Sequence, residues 1–204
     1  MANRREAQKA MTRAVLRDAG LALFRERGYA ATTVDDIASA AGTTRVTFYA
    51  YFSSKAELAR TLVSESLNAV LERRHSTIHG PTAPKLVEAV ADGSPAAIEA
   101  WLRHTADLWH AVRPIIRIGR DAAAVEPELR NLVARWMEEA ISDIEDGLHR
   151  AGRFKPHQRH FRGVLAMAEL DYVGQNWEDA DWKLDREQML TELTASWSRL
   201  LSPD

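Results

Sequence analysis

The chain has 204 residues, of which 46% are hydrophobic and 27% charged, and a net charge of −2, which suits a globular protein long enough to bury a core. It has no cysteine, which excludes a disulfide scaffold, a thiolate metal site and a cysteine nucleophile, and no apolar run of the roughly 20 residues needed to cross a bilayer. With no apolar stretch for a signal peptide and few glycines or prolines for the turns of an all-β fold, a cytoplasmic, all-α protein is expected.

The spacing of Val15, Leu16, Ala19, Leu23 and Phe24 predicts a first helix from about Arg4 to Arg27, stopped by Gly28. Thr33 opens a short second helix with Asp35 and Asp36 in its first turn, where the helix dipole favours carboxylates, and Gly42 ends it. A third short helix starts at Thr43 or Thr44 and runs to about Phe52. Ser54 and Glu57 read as a capping box for a long fourth helix through Leu58, Leu62, Leu67 and Leu71 to about His75. Breaker clusters follow at 79–84 and 92–95. Ser94-Pro95 starts a helix carrying Ile98, Trp101, Leu102, Leu108 and Trp109, and Pro114 separates it from a short, irregular one over IIRIGRDAAAV. From Glu126-Pro127, Leu129, Leu132, Val133, Trp136, Ala140, Ile141, Ile144 and Leu148 trace one apolar stripe, ended by Gly152. Helices over roughly 156–177 and 185–201, the second capped by Asp185, complete a set of about nine. No strand is expected.

Charge is unevenly distributed. Residues 1–60 hold ten Lys/Arg against six Asp/Glu, and the remainder holds seventeen against twenty-three. A basic first segment on an acidic body suits a small polyanion-binding module, although a solvated charge run would look similar. Within it, Thr32–Leu58 meets several constraints at once. Ala38 can sit where two short helices cross, Gly42 can make the turn, and Ile37, Ala41, Phe48 and Tyr51 can seal the pair. That is a helix-turn-helix, whose second helix lies in the major groove. Thr33, Thr44 and Lys55 lie at or beside helix N-termini, which attract phosphate, and Tyr49 adds a hydroxyl. Thr43, Thr44, Arg45 and Thr47 line the front of the second helix, and Arg45 can pair bidentately with guanine.

Thr33-Val34, Ile37-Ala38, Gly42, Thr47-Phe48-Tyr49, Tyr51-Phe52 and Ser54-Lys55 with Leu58 resemble the DNA-binding signature of TetR-family transcriptional regulators; Leu23-Phe24 and Gly28-Tyr29 resemble the family's first helix. The resemblance covers about residues 12–60. It implies an all-α homodimer that binds an inverted-repeat operator, most often as a repressor, and leaves it when a small molecule fills the C-terminal domain. It also implies phosphate contacts from Thr33, Thr44, Tyr49 and Lys55, and base contacts from Arg45 and Thr47. Val46 and Ala50 depart from the pattern, so operator sequence does not transfer; Ala50 offers at most an apolar contact such as to a thymine methyl. The expected domains are 1–53 for DNA and 54–204 for ligand binding and dimerisation, with the fourth helix as the lever between them.

All six tryptophans fall beyond residue 60. Filling a helical core accounts for any one of them, yet with Met137, Met167 and Tyr172 they suggest an aromatic-lined cavity for a small hydrophobic or aromatic ligand. The candidate lining is Trp101, Leu108, Trp109, Trp136, Met137, Met167, Tyr172 and Trp197, with Glu169, Asn176, His104 and His110 as polar candidates. Trp101, Trp136-Met137, Met167-Ala168-Glu169 and Trp197 resemble the ethionamide-resistance regulator branch of the family. The last two helices carry apolar residues on more than one face, which points to burial against both their own core and a second copy; Trp177 and Trp182 folding back as a lid is the monomeric alternative.

No HExxH, GxSxG, GxGxxG or Walker A pattern is present, so no enzyme and no cofactor are expected. His157 and His160 lack an obvious carboxylate to complete a metal site, and Glu138, Glu139, Asp143, Glu145, Asp146, Asp179 and Asp181 read as a solvated acidic face. A helical protein-binding adaptor without DNA affinity is the alternative reading.

Overall fold

A computed structural model describes residues 2–70, 74–76, 80–177, 183 and 185–202, and among these the chain forms nine helices and one small hairpin. In order these are α1 (Ala2–Arg27), α2 (Val34–Ala40), α3 (Arg45–Tyr49), α4 (Lys55–Val70), β1 (Arg74–Ser76), β2 (Gly80–Thr82), α5 (Pro84–Asp92), α6 (Pro95–Ala123), α7 (Pro127–Arg150), α8 (Pro156–Asn176) and α9 (Arg186–Leu201). No described helix is long and apolar enough to cross a membrane. The all-α expectation holds, with four local corrections.

The fourth helix does not continue to His75: Arg74–Ser76 pairs antiparallel with Gly80–Thr82, placing His75 opposite Pro81. Proline cannot donate to a ladder, and this two-stranded ribbon has no inner strand for it to interrupt. Pro114 does not end a helix either, for α6 runs through it. Proline removes one donor and strains one turn, and an otherwise strongly amphipathic helix of 29 residues absorbs that loss. Third, α5 lies where no helix is expected. Its N-cap, Ala83, has no capping side chain; instead the Ala83 amide donates to Asp143 Oδ2 on α7 at 2.9 Å. Asp143 is therefore not part of a solvated face but buried, at 4% exposure. Fourth, His160 has carboxylate neighbours, its Nδ1 lying 3.5 Å from Glu145 and 3.8 Å from Glu138, although no three metal-ligating side chains come together among the described residues. Asp179, Asp181, Trp182 and Leu71 lie outside the described residues.

The chain divides into two compact units, each discontinuous in sequence. The first comprises Met1–Leu67 and Pro114–Val133, the second Asn68–Arg113 and Ala134–Asp204. In the first, Leu16, Phe24, Tyr29, Ile37, Phe48, Phe52, Leu58 and Leu62 close on Ile118, Ala122 and Leu129. In the second, Leu86, Val90, Ile98, Leu102, Ile144, Leu148, Leu170 and Leu190 pack around Trp101 and Trp197, whose rings stack at 5.5 Å and 19°. Close approach also depends on Gly174, where a Cβ would fall 1.9 Å from Cζ2 of Trp109, so α8 can accept that indole only at a glycine.

The last two helices differ from each other. In α9 Met189, Leu190, Leu193, Trp197 and Leu201 are buried in the chain's own core, with Leu200 half-buried against it. In α8 one face is buried, through Gly163, Ala166, Met167 and Leu170, while Phe161, Leu165 and Tyr172 stay exposed with Ala168 between them. Those four recur at steps of four, three and four residues, one stripe along the helix.

Candidate nucleic-acid interface

The turn between α2 and α3 is built from its own backbone. Ala41 and Gly42 close α2 on Ile37 and Ser39, and the Thr43 amide donates back to the Ala38 carbonyl at 2.9 Å. Gly42 takes φ +64°, a left-handed conformation that costs any other residue about 1–2 kcal/mol. Behind the turn, Phe48 is fully buried against Phe52. This seats α3 so that Arg45, Val46, Tyr49 and Ala50 face outward, Val46 at 81% exposure.

Each threonine proposed for phosphate also caps a helix. Thr33 and Asp36 form a reciprocal capping box at α2: the Thr33 amide and hydroxyl donate to Asp36 Oδ2 at 2.9 and 2.6 Å, and the Asp36 amide donates to Thr33 Oγ1 at 3.1 Å. Thr44 caps α3, its Oγ1 accepting from the Thr47 amide at 3.2 Å and lying 3.0 Å from the Thr47 hydroxyl. At α4 the arrangement departs from the expected box. Ser54 Oγ accepts from the Glu57 amide at 3.0 Å, but the Glu57 carboxylate reaches Ser53, one residue earlier, accepting from its amide and hydroxyl at 2.5 and 2.6 Å.

These hydrogen bonds favour the ionised carboxylate, so those from Thr33 and Ser53 hold Asp36 and Glu57 respectively below the usual carboxylate range. The folded pKa is depressed, so the stabilisation is complete above the unfolded value and disappears as pH falls through the folded one. Thr33→Ala is expected to cost about 1 kcal/mol at neutral pH, the worth of an N-cap, and less at a pH where Asp36 is protonated, as read from urea unfolding at both pH values.

Lys55 is half-buried. Its Nζ donates to the carbonyls of Tyr29 and Thr32 at 2.7 and 2.8 Å and sits 4.1 Å from the centre of the Tyr29 ring. Burial lowers its pKa, with the Glu126 charge opposing that. The Tyr29 hydroxyl donates to Glu126 at 2.8 Å, and burial with that partner raises its pKa. Arg45 Nη1 meets Asp35 Oδ2 at 2.9 Å, and the guanidinium lies 5.6 Å from the Tyr49 ring centre with Nη2 3.5 Å from its hydroxyl. The Asp35 charge raises the Arg45 pKa. Neither Asp35 nor the bracing role of Lys55 is evident from the motif; only the acidic first turn of α2 hints at the former.

In the second unit the expected lining residues divide. Trp101, Met167 and Trp197 belong to the closed core. Leu108, Trp136 and Met137 are half-buried, and Tyr172 stands on the outer stripe of α8 at 65% exposure. Trp109 instead lines a cavity of about 270 Å³ together with Ala106, His110, Arg113, Gly174 and Trp177, the two indoles 5.7 Å apart. At its edge Arg186 is paired with Asp107. Arg113 and Arg186 are missed by apolar patterning, and Trp177 lines the cavity rather than standing only as the lid considered for a monomer. Of the polar candidates, His104 lines a shallow groove beside Trp101. Glu169 accepts from Ser196 Oγ at 3.0 Å, and Asn176 is satisfied by the Tyr172 carbonyl at 2.8 Å.

Residues 16–62 match the family model for bacterial regulatory proteins of the tetR family. No curated protein sequence matches the chain. Among solved structures, the TetR-family regulator PfmR from Thermus thermophilus is 20% identical with a TM-score of 0.61, over 92% of this chain and 96% of that one. AibR, solved in complex with isovaleryl coenzyme A and operator DNA, is 18% identical with a TM-score of 0.64, over 91% and 96%. The flavonoid-responsive regulator FrrA is 22% identical with a TM-score of 0.66, over 94% and 96%. The chain therefore has the fold of TetR-family transcriptional regulators, and its first segment carries their N-terminal domain.

Proposed function

We propose that this chain is a homodimeric transcriptional regulator, a repressor in action, that binds an inverted-repeat operator and releases it when a small hydrophobic or aromatic ligand occupies the second unit. The observation that carries the reading is α3 itself: five residues sealed from behind by Phe48, with Arg45, Val46 and Tyr49 turned outward. An adaptor hairpin has no need of a guanidinium, a phenol and an apolar tip on one short exposed helix. In this reading Thr33, Thr44, Tyr49 and Lys55 hold phosphates, and Thr43, Arg45 and Thr47 approach bases. The protein works in the cytoplasm, where its DNA is, and has no catalytic role.

The division of labour keeps residues 1–53 for DNA and 54–204 for ligand and dimer. AibR is described with an acyl thioester and operator DNA, and FrrA as responsive to flavonoids. Both precedents support an organic ligand here, and the scattered aromatic positions from Trp101 to Trp197 resemble those of the ethionamide-resistance regulator branch. Of the expected lining, Trp101 borders the shallow groove with His104, whereas Trp109, with Trp177, borders the more enclosed cavity, so we place the ligand's flat portion beside Trp109. Trp109→Ala is expected to weaken binding of an aromatic ligand roughly three- to tenfold, the worth of one aromatic contact, measured by isothermal titration. Release follows as a population shift: the ligand favours a dimer whose recognition helices are spaced wrongly for successive major-groove faces, a coupling of about 1–3 kcal/mol.

In vitro selection from a random duplex library at near-physiological salt tests the reading. Enrichment of an inverted repeat is the expected result. Failure of folded, ligand-free protein to enrich any sequence would favour the adaptor.

A further inference from the structure

The first turn of α2 holds two carboxylates with different partners. Asp36 is consumed by the capping box, whereas Asp35 takes no part in it and reaches across to Arg45 on α3 at 2.9 Å. Arg45 is thereby held on two sides, by Asp35 through Nη1 and by the Tyr49 ring and hydroxyl through its other edge. We propose that Asp35 is a positioning residue that holds Arg45 for a base edge and withholds it from the phosphate backbone. This rests on the DNA-binding reading above and adds a residue that the motif does not assign.

A guanidinium carries five N–H donors in a rigid fork. Guanine presents two neutral acceptors, O6 and N7, which the unused donors can reach while Nη1 stays on Asp35. A phosphate is a full anion and competes for Arg45 as Asp35 does, so gripping it means breaking the pair and placing two anions side by side. Asp35 therefore opposes the sliding, sequence-independent mode more than the base-reading one, which is how a repulsive element creates specificity. Arg45 and Asp35 are each more than half exposed, so the pair is weak enough to yield and its loss leaves the fold intact.

The test is Asp35→Asn in the full-length chain, with affinity for a random duplex and for the selected operator measured by fluorescence anisotropy across a salt series. The variant is expected to bind random DNA roughly two- to fivefold more tightly, the scale of one exposed ion pair. Its salt dependence on random DNA should steepen by about 0.9 in logarithmic slope, one additional phosphate neutralised. Operator affinity should rise less, so discrimination falls. Arg45→Ala and the double variant decide the cause: with Arg45 gone, Asp35→Asn should change neither slope nor affinity. A gain that survives in the Arg45→Ala background, or an equal gain on both DNAs, would overturn the proposal by making Asp35 a generic negative charge. Wild-type protein that binds no duplex at all would instead remove the DNA-binding reading beneath it.

Discussion

Replacing Phe161 and Leu165 together by glutamate is expected to leave a folded monomer that has lost operator binding. Both residues face outward from α8, at 61% and 39% exposure, so the chain's own core does not depend on them. Exposed substitutions of this kind usually stay within about 0.5 kcal/mol of the parent in monomer stability. At a two-fold interface each change appears twice, on self-complementary patches, so four carboxylates would be pressed together against apolar surface. Operator binding would then rest on one half-site without the effective concentration that a linked second module supplies, a loss on the order of a hundredfold or more. Sedimentation equilibrium with anisotropy on the selected operator measures both quantities. A variant that remains dimeric would move the interface away from α8, and one that is monomeric yet binds with undiminished affinity would end the inverted-repeat mechanism.

This face also shows where sequence periodicity reaches its limit. Both α8 and α9 read as apolar around much of their circumference, yet only α8 leaves a stripe outside. Met189, Leu190, Leu193, Trp197 and Leu201 lie within one wide stripe that a curved core can swallow whole, whereas Phe161, Leu165 and Tyr172 oppose Met167 and Leu170 across the helix. Hydropathy alone does not say how wide a stripe the rest of the chain can cover.

The helix-turn-helix was legible because its determinants are local. Thr33, Gly42, Thr44 and Phe48 each act within a few residues of where they stand, through caps, a left-handed turn and a short-range seal. What escaped is long-range. The α5 helix has no capping side chain of its own, and the carboxylate that meets its first backbone donor comes from Asp143, sixty residues away. Counting about nine helices agreed with the fold only because the unforeseen α5 offset the fusion of two expected helices across Pro114. The aromatic lining failed to assemble in one place for the same reason. A tryptophan's helix and face can be read locally, but whether it stacks on Trp197 or borders a cavity with Trp177 depends on its neighbour across the core.

Lys55→Met is expected to damage both the fold and DNA binding, and the two losses can be separated. The ammonium ties the carbonyls of Tyr29 and Thr32, in the loop between α1 and α2, to the start of α4. Methionine keeps an apolar stem but removes the ammonium from both carbonyls, leaving Tyr29 only the 3.3 Å bond from the Thr32 amide. Hydrogen bonds to a charged group are worth about 1.5–3 kcal/mol, and half-burial puts the loss near the lower end. If the ammonium also meets a phosphate with its remaining proton, affinity should fall alike on operator and random DNA, and the logarithmic salt slope should flatten by about 0.9. Tyr49→Phe is the companion measurement. Its hydroxyl makes a 3.5 Å approach to Arg45, so stability should stay within about 0.5 kcal/mol while affinity falls alike on operator and random DNA with the salt slope unchanged, because a neutral hydroxyl releases no counterion. Measured below the melting range of both variants, a Lys55→Met protein with reduced stability and an unchanged slope would make Lys55 a brace for the 29–32 loop alone, and would leave Tyr49 and the helix-capping threonines to carry the phosphate contacts.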